Sequence, residues 1–238
     1  MAALHVDPRP KMETPMARTL FITGASSGIG AATARMAAMA GWNVALFARS
    51  KDKLEALAEE MGHKALVLPG DATRLDDQVE AVGRAVEHFG TLDAAFANAG
   101  RGMERAGTVE GDPDDISAMI DLNVKGLVWT ARAALPELKK TRGTLVLTGS
   151  AAGRRHITGS IYSATKWFVH GYAGNMAEEM REWGGRCTVI APGMVDTPFF
   201  DDGQPDKLKP QDVADAVMHA LEADPRASVR EIFLMPQK

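Results

Sequence analysis

Cysteine occurs once in the 238 residues, at Cys187. No internal disulfide can form, which fits a reducing compartment, and a cytoplasmic location is expected. Cys187 falls in an apolar run and reads as a small buried hydrophobe. No Cys/His cluster has metal-ligand spacing, so no metal site is expected. Charge of one sign is also lacking: the net charge is −4 and the pI about 5.9, which removes any electrostatic reason to expect nucleic acid or an anionic membrane as partner. Long apolar runs are missing too. The strongest candidate, residues 31–48, is alanine-rich and carries Arg35 and Asn43. An amphipathic helix followed by a strand explains it better than a membrane span. Repeats, low-complexity tracts and an internal linker are absent, so residues 18–238 read as one domain. Residues 1–17, with Pro8, Pro10 and Pro15, read as a flexible tail rather than a signal peptide, with Met16 as an alternative start.

What is present is alternation. Short β-like runs at 19–23, 43–47, 65–68, 94–97, 144–148, 187–191 and 231–234 are near-continuously apolar, as strands covered on both faces are. Between them lie helical stretches at 28–40, 51–61, 73–89, 113–138, 161–183 and 210–223. Gly41 and Gly90 stand where helices stop, and Pro210 opens the last one. The pattern predicts an α/β fold: a doubly wound, seven-stranded parallel sheet of Rossmann type, with helices on both faces.

The first strand runs into Thr23-Gly24-Ala25-Ser26-Ser27-Gly28-Ile29-Gly30, which opens the first helix. Glycines there permit a tight turn and let backbone N–H groups approach a pyrophosphate at the helix N-terminus. After the second strand a carboxylate would select the adenosine ribose hydroxyls. Phe47-Ala48-Arg49-Ser50 holds no acid. Arg49, helped by Ser50, suits a 2′-phosphate, so NADP(H) is expected over NAD(H). Neither Ser26 nor Ser27 is basic, and the turn lacks a second phosphate-binding cation.

Tyr162 and Lys166 stand four apart, on one face of a helix, with Ser150 upstream. An ammonium beside a phenol favours phenolate and lowers its pKa from about 10. The pair reads as a tuned general acid/base. With a dinucleotide, this implies hydride chemistry on a carbonyl or alcohol.

Taken together these motifs resemble the short-chain dehydrogenase/reductase family, in its shorter single-domain form, over about residues 18–236. The resemblance implies that the glycine turn binds cofactor, that Asp71, followed by Ala72, meets the adenine, and that Asn98-Ala99-Gly100 follows the fourth strand beside it. It implies that Ser150, Tyr162 and Lys166 form the active site. Ser150 would hydrogen-bond the substrate oxygen, and Lys166 would also hold the nicotinamide ribose. Asn123 would hold a water that relays protons through Lys166. Pro192-Gly193, Val195 and Thr197 would meet the nicotinamide. Two departures stand out: Ala97 replaces a frequent asparagine, and the Ser150–Tyr162 interval is one residue short, placed as a deletion at 154–158.

Candidate pocket walls are Arg101, Met103, Ala151, Ala152, His156, Ile157, Met194, Val195, Phe199 and Phe200. Apolar types dominate, favouring a carbonyl with a hydrophobic body. Arg101, Arg154, Arg155 and His156 offer acid recognition as an alternative. The short polar segment after Thr197 predicts a shallow or mobile cover. His170 and His219 read as surface or packing residues. By resemblance, the 113–138 segment (Met119, Ile120, Val124, Leu127, Val128) and the 161–183 segment (Trp167, Phe168, Tyr172, Met176, Met180) meet a partner in a homodimer or homotetramer. Two other readings are a catalytically silent cofactor sensor of the same fold and a sugar-nucleotide epimerase or dehydratase. The intact Ser150, Tyr162, Lys166 and Asn123 set argues against the first. The chain's length and glycine spacing argue against the second.

Overall fold

A computed structural model of the chain describes residues 17–103, 107–199 and 203–237. The expected tail, apart from Ala17, and the wall residue Phe200 lie outside the described residues. Seven strands form one sheet: β1 (Thr19–Thr23), β2 (Asn43–Ala48), β3 (Ala65–Pro69), β4 (Ala94–Ala97), β5 (Thr144–Thr148), β6 (Arg186–Pro192) and β7 (Glu231–Leu234). Their order is β3-β2-β1-β4-β5-β6-β7 and every pairing is parallel.

Successive residues of a strand point to opposite faces, and both faces are covered. Leu20 and Ile22 of β1 join one core cluster, while Phe21 joins the other. The first cluster packs under α1 (Gly28–Met39), α2 (Lys51–Glu59) and α7 (Pro210–Glu222). The second packs under α3 (Leu75–Phe89), α5 (Leu127–Thr141) and α6 (Ile161–Arg181). Two buried faces explain why the strands read as continuous apolar runs rather than alternating ones. Cys187 is among these buried residues, and burial pushes its thiol up to about 12.

Strand order reverses beside β1, between β2 on one side and β4 on the other. In an open parallel sheet that reversal leaves a crevice at the carboxyl ends of the strands.

The helices depart from expectation in one informative place. The 113–138 stretch is not one helix. Asp112 caps α4 (Pro113–Ile120), accepting from the Asp114 and Asp115 N–H groups. A π-helical turn, Asp121–Gly126, follows, and then α5, which runs on to Thr141. Tertiary contacts account for the interruption. The Asn123 side chain clamps the backbone of Arg101, and Gly126 lies against the β3–α3 connection, where an added Cβ would sit 2.9 Å from the Ala72 carbonyl oxygen. Gln78 donates to both the Ala72 and Gly126 carbonyls. Helix α3 starts two residues later than expected because Thr73 is bound into a turn by the Asp71 carboxylate.

Several side chains expected at a subunit contact are core instead. Met119, Leu127, Met176 and Met180 are buried. Ile120, Trp167 and Phe168 are the exposed members of the two sets.

Candidate active site

The crevice is a cleft of about 1210 Å³ at the carboxyl edge of the sheet. Its floor on one side is the turn between β1 and α1. Gly24 has a positive φ of 66°, and an added Cβ there would lie 2.9 Å from the Ala99 Cα. At Gly30 a Cβ would come within 2.3 Å of the Gly24 carbonyl oxygen. Only glycine fits both positions, so the turn lies flat and presents backbone to the cleft. The Ser27 side chain makes no cap hydrogen bond to α1, and the helix's first N–H groups have no intrahelical partner. That combination is an anion cradle suited to a pyrophosphate.

Beneath the turn, β1 is stitched to β4. The Thr23 hydroxyl accepts from the Asn98 and Ala99 N–H groups at 3.1 and 3.2 Å. The Asn98 amide donates to the Thr23 and Gly24 carbonyls at 3.1 and 3.3 Å. Thr23 and Gly30 therefore stand behind the cleft wall rather than on it, as does the buried Asn123. The other residues expected to bind cofactor all line the cleft: Gly24, Ser26, Ser27, Gly28, Ile29, Arg49, Ser50, Asp71, Ala72, Asn98, Ala99, Gly100, Tyr162, Lys166, Pro192, Gly193, Val195 and Thr197. Lys207 and Met235 also line it. The position of Met235 just after β7 follows the strand-end rule. Nothing in the local sequence marks Lys207, a cation the glycine turn itself lacks.

Ser150, Tyr162 and Lys166 converge on the same cleft. Ser150 leaves β5, and its hydroxyl accepts from the Ala152 N–H at 3.1 Å and hydrogen-bonds the Tyr162 phenol. The Ser160 side chain caps α6 by accepting from the Ser163 N–H, which sets Tyr162 in the first turn. Lys166 follows one turn later. Its ammonium lies 5.7 Å from the Tyr162 ring centroid and donates to the Thr148 carbonyl at 2.8 Å.

The expected lowering of the phenol pKa by this ammonium is not what the protein alone produces. Burial pushes Tyr162 up to about 12, and the Ser150 hydrogen bond only partly opposes it. Burial pushes Lys166 down to about 8. Desolvation of both groups outweighs their mutual influence.

The Asn123 side chain is fully engaged. Its oxygen accepts from the Arg101 N–H, and its amide donates to the Arg101 carbonyl and the Thr165 hydroxyl. It fixes the chain after β4 next to Gly100, where an added Cβ would be 3.8 Å from the Lys166 Nζ.

The cleft is also lined by Met103, Ile157, Ile161, Met194 and Phe199, with Ala151 and Ala152. The Phe199 ring packs 5.7 Å from the Tyr162 ring. Of the cationic groups considered for acid recognition, Arg101 pairs with Asp115 and Arg154 with Glu231. His156 stacks on Trp167 and does not line the cleft; Arg155 does. After Thr197 the described residues run back along the rim of the cleft. Asp196 accepts from the Gln204 N–H and pairs with Lys209, and Leu208 bridges to Val195, tying the returning chain to the rim. His170, expected at the surface or in packing, is buried directly behind Ser150, with Nε2 3.2 Å from the Ser150 carbonyl oxygen.

Fold and cleft together define an α/β protein of Rossmann type with an open crevice at the carboxyl edge of its sheet. Residues 18–208 match the family model for short chain dehydrogenases, and the chain belongs to that family of oxidoreductases. An uncharacterized oxidoreductase of Staphylococcus aureus (strain MRSA252) is 38% identical over 221 residues, covering 90% of this chain and 95% of the relative. Among solved structures, an alcohol dehydrogenase from the archaeon Thermococcus sibiricus complexed with 5-hydroxy-NADP aligns with a TM-score of 0.86 at 31% identity, covering 93% of this chain and 97% of that one. A 3-ketoacyl-(acyl-carrier-protein) reductase from Brucella melitensis complexed with NADH also gives 0.86, at 25% identity, covering 92% and 97%. Among the described residues, no helix is long and apolar enough to cross a membrane, and no cluster of His, Cys, Asp or Glu could hold a metal.

Proposed function

We propose that the protein is an NADP(H)-dependent oxidoreductase that interconverts a small carbonyl compound and its alcohol. One observation carries this reading: the Tyr162 phenol, hydrogen-bonded to Ser150 and backed by Lys166, opens on the same cleft as the glycine cradle.

The dinucleotide supplies the hydride. Its pyrophosphate is assigned to the turn from Gly24 to Gly30, its adenine to the side of Asp71 and Ala72, and its nicotinamide end to Pro192, Gly193, Val195 and Thr197. In reduction, Tyr162 gives its proton to the oxygen of the reacting carbonyl. Ser150 donates a hydrogen bond to that oxygen as negative charge grows on it. Lys166 holds ribose hydroxyls and returns a proton towards Tyr162, and Asn123 fixes the loop that keeps Lys166 in place. The apolar wall of Met103, Ile157, Met194 and Phe199 suits a substrate with a hydrophobic body.

Preference for NADP(H) rests on Arg49, exposed on the cleft wall where β2 ends, and on the absence of a carboxylate in Phe47–Ser50. The neighbours do not decide it, since one was solved with an NADP derivative and another with NADH. A homo-oligomer in the cytoplasm completes the proposal. Exposed Ile120, Trp167 and Phe168 support the oligomer, and the single buried thiol fits the compartment.

The test is consumption of NADPH across a panel of aldehydes, ketones and diketones, with Tyr162→Phe as control. Loss of the proton donor lowers turnover by about 100- to 10,000-fold, while NADPH binding by fluorescence titration is retained. Full turnover in Tyr162→Phe would remove the mechanism.

A further inference from the structure

We propose that His170 is a positioning residue for Ser150: its Nε2–H holds the Ser150 main-chain carbonyl and so keeps the Ser150 hydroxyl on the Tyr162 phenol. The inference rests on the reaction assigned above, but its geometry stands apart from it.

His170 lies on α6, one turn beyond Lys166, with only 5% of its side chain exposed. Its Nε2 is 3.2 Å from the Ser150 carbonyl oxygen, which also accepts from the Gly153 N–H at 2.9 Å. Two donors thus fix the peptide that carries the Ser150 side chain. The chain on either side is shaped around the imidazole. An added Cβ at Gly149 would lie 3.1 Å from the His170 Nε2, and one at Gly153 would lie 2.7 Å from its Cδ2. Both neighbours must be small for the ring to reach the carbonyl. This is more than filling space, since an apolar side chain would fill the slot without bonding the carbonyl.

A carbonyl only accepts, so the proton sits on Nε2 and Nδ1 is bare. Among the described residues Nδ1 has no hydrogen-bond partner, and it lies 3.6 Å from Glu231 on β7. Glu231 is itself held by Arg154. Burial, Arg154 and Lys166 disfavour a second proton on the ring, against Glu231 and the Ser150 carbonyl, which favour it; the net direction is down. The imidazole is therefore a neutral, fixed donor at neutral pH.

The chain has two tyrosines, Tyr162 and Tyr172, which makes a direct readout accessible. Tyrosine is isotopically labelled at the ring carbon bearing the hydroxyl, and Tyr172→Phe assigns the two NMR signals. His170→Leu removes the donor; His170→Gln keeps an N–H at similar reach. His170→Leu should move the Tyr162 signal and lower kcat by about tenfold or more at nearly unchanged KM for NADPH, whereas His170→Gln restores both to within about threefold. Melting curves check folding, and His170→Met replaces His170→Leu should the latter not fold. An unmoved Tyr162 signal with full kcat in His170→Leu overturns the proposal. Equal damage in His170→Leu and His170→Gln also overturns it, because packing alone would then explain the residue. If Tyr162→Phe keeps full activity, the reaction assignment falls, and the NMR signal still decides whether His170 holds Ser150.

Discussion

Single residues in this cleft are governed by desolvation before they are governed by each other. Lys166 is the clearest case. Its pKa is about 8 when folded against 10.5 as an exposed lysine. Below pH 8 both folded and unfolded chains carry the proton, and burial of the charge is a standing cost. Between 8 and 10.5 the unfolded chain binds more protons, so stability contributed by this residue rises with pH. We predict that Lys166→Met is more stable than the parent near neutrality, and that the gap narrows by up to about 3 kcal/mol as pH climbs through that window. Denaturant unfolding of the two proteins side by side checks it. The difference measurement cancels Cys187, whose raised pKa acts in the opposite direction. A second residue-scale prediction concerns Arg49. Arg49→Asp places a carboxylate where a 2′-phosphate would lie, so NADPH affinity should fall by at least about tenfold while NADH affinity changes little. Equal loss for both cofactors in binding titrations would reject the NADP(H) preference.

Between elements, close backbone approach sets the tolerances. By helix propensity alone, Gly30→Ala in the first turn of α1 should gain up to about 1 kcal/mol. Its Cβ would instead meet the Gly24 carbonyl at 2.3 Å and the Asn98 amide at 2.8 Å. We therefore expect Gly30→Ala to lower both the melting temperature and NADPH affinity, read by thermal melts with and without cofactor. This scale also shows what was legible beforehand. The strands β1, β4 and β5 begin and end where the sequence places them, because these central strands are buried on both faces. The glycine turn and the Tyr162–Lys166 spacing are local, and they read directly. The π-turn is not local: it exists because Asn123 must reach Arg101 and Gly126 must meet Ala72, partners 22 and 54 positions away (123 − 101 and 126 − 72). The same reason hid His170, whose partner Ser150 belongs to a different element.

For the whole molecule, the sheet places the ends of β1, β4, β5 and β6 along one edge, so that the glycine turn, Asn98, Ser150 and Pro192 face one cleft although far apart in sequence. The outer faces of the helices remain to be satisfied. Trp167 and Phe168, 40% and 38% exposed on α6, are large apolar groups whose burial against a second copy would stabilise an oligomer. We predict that Trp167→Glu combined with Phe168→Glu shifts the sedimentation coefficient towards a single chain, and that a parent already sedimenting as one chain would refute the assembly. A different consequence follows from the turn between α4 and α5. A π-turn is an α-helix holding one residue more than its pitch requires. Excising one position from Asp121–Gly126 would let the rod wind evenly, and would rotate the Asn123 amide off the Arg101 backbone it grips. Such a shortened chain would gain helical regularity and lose that grip, so the irregularity is where this architecture gives up local comfort to reach a distant segment.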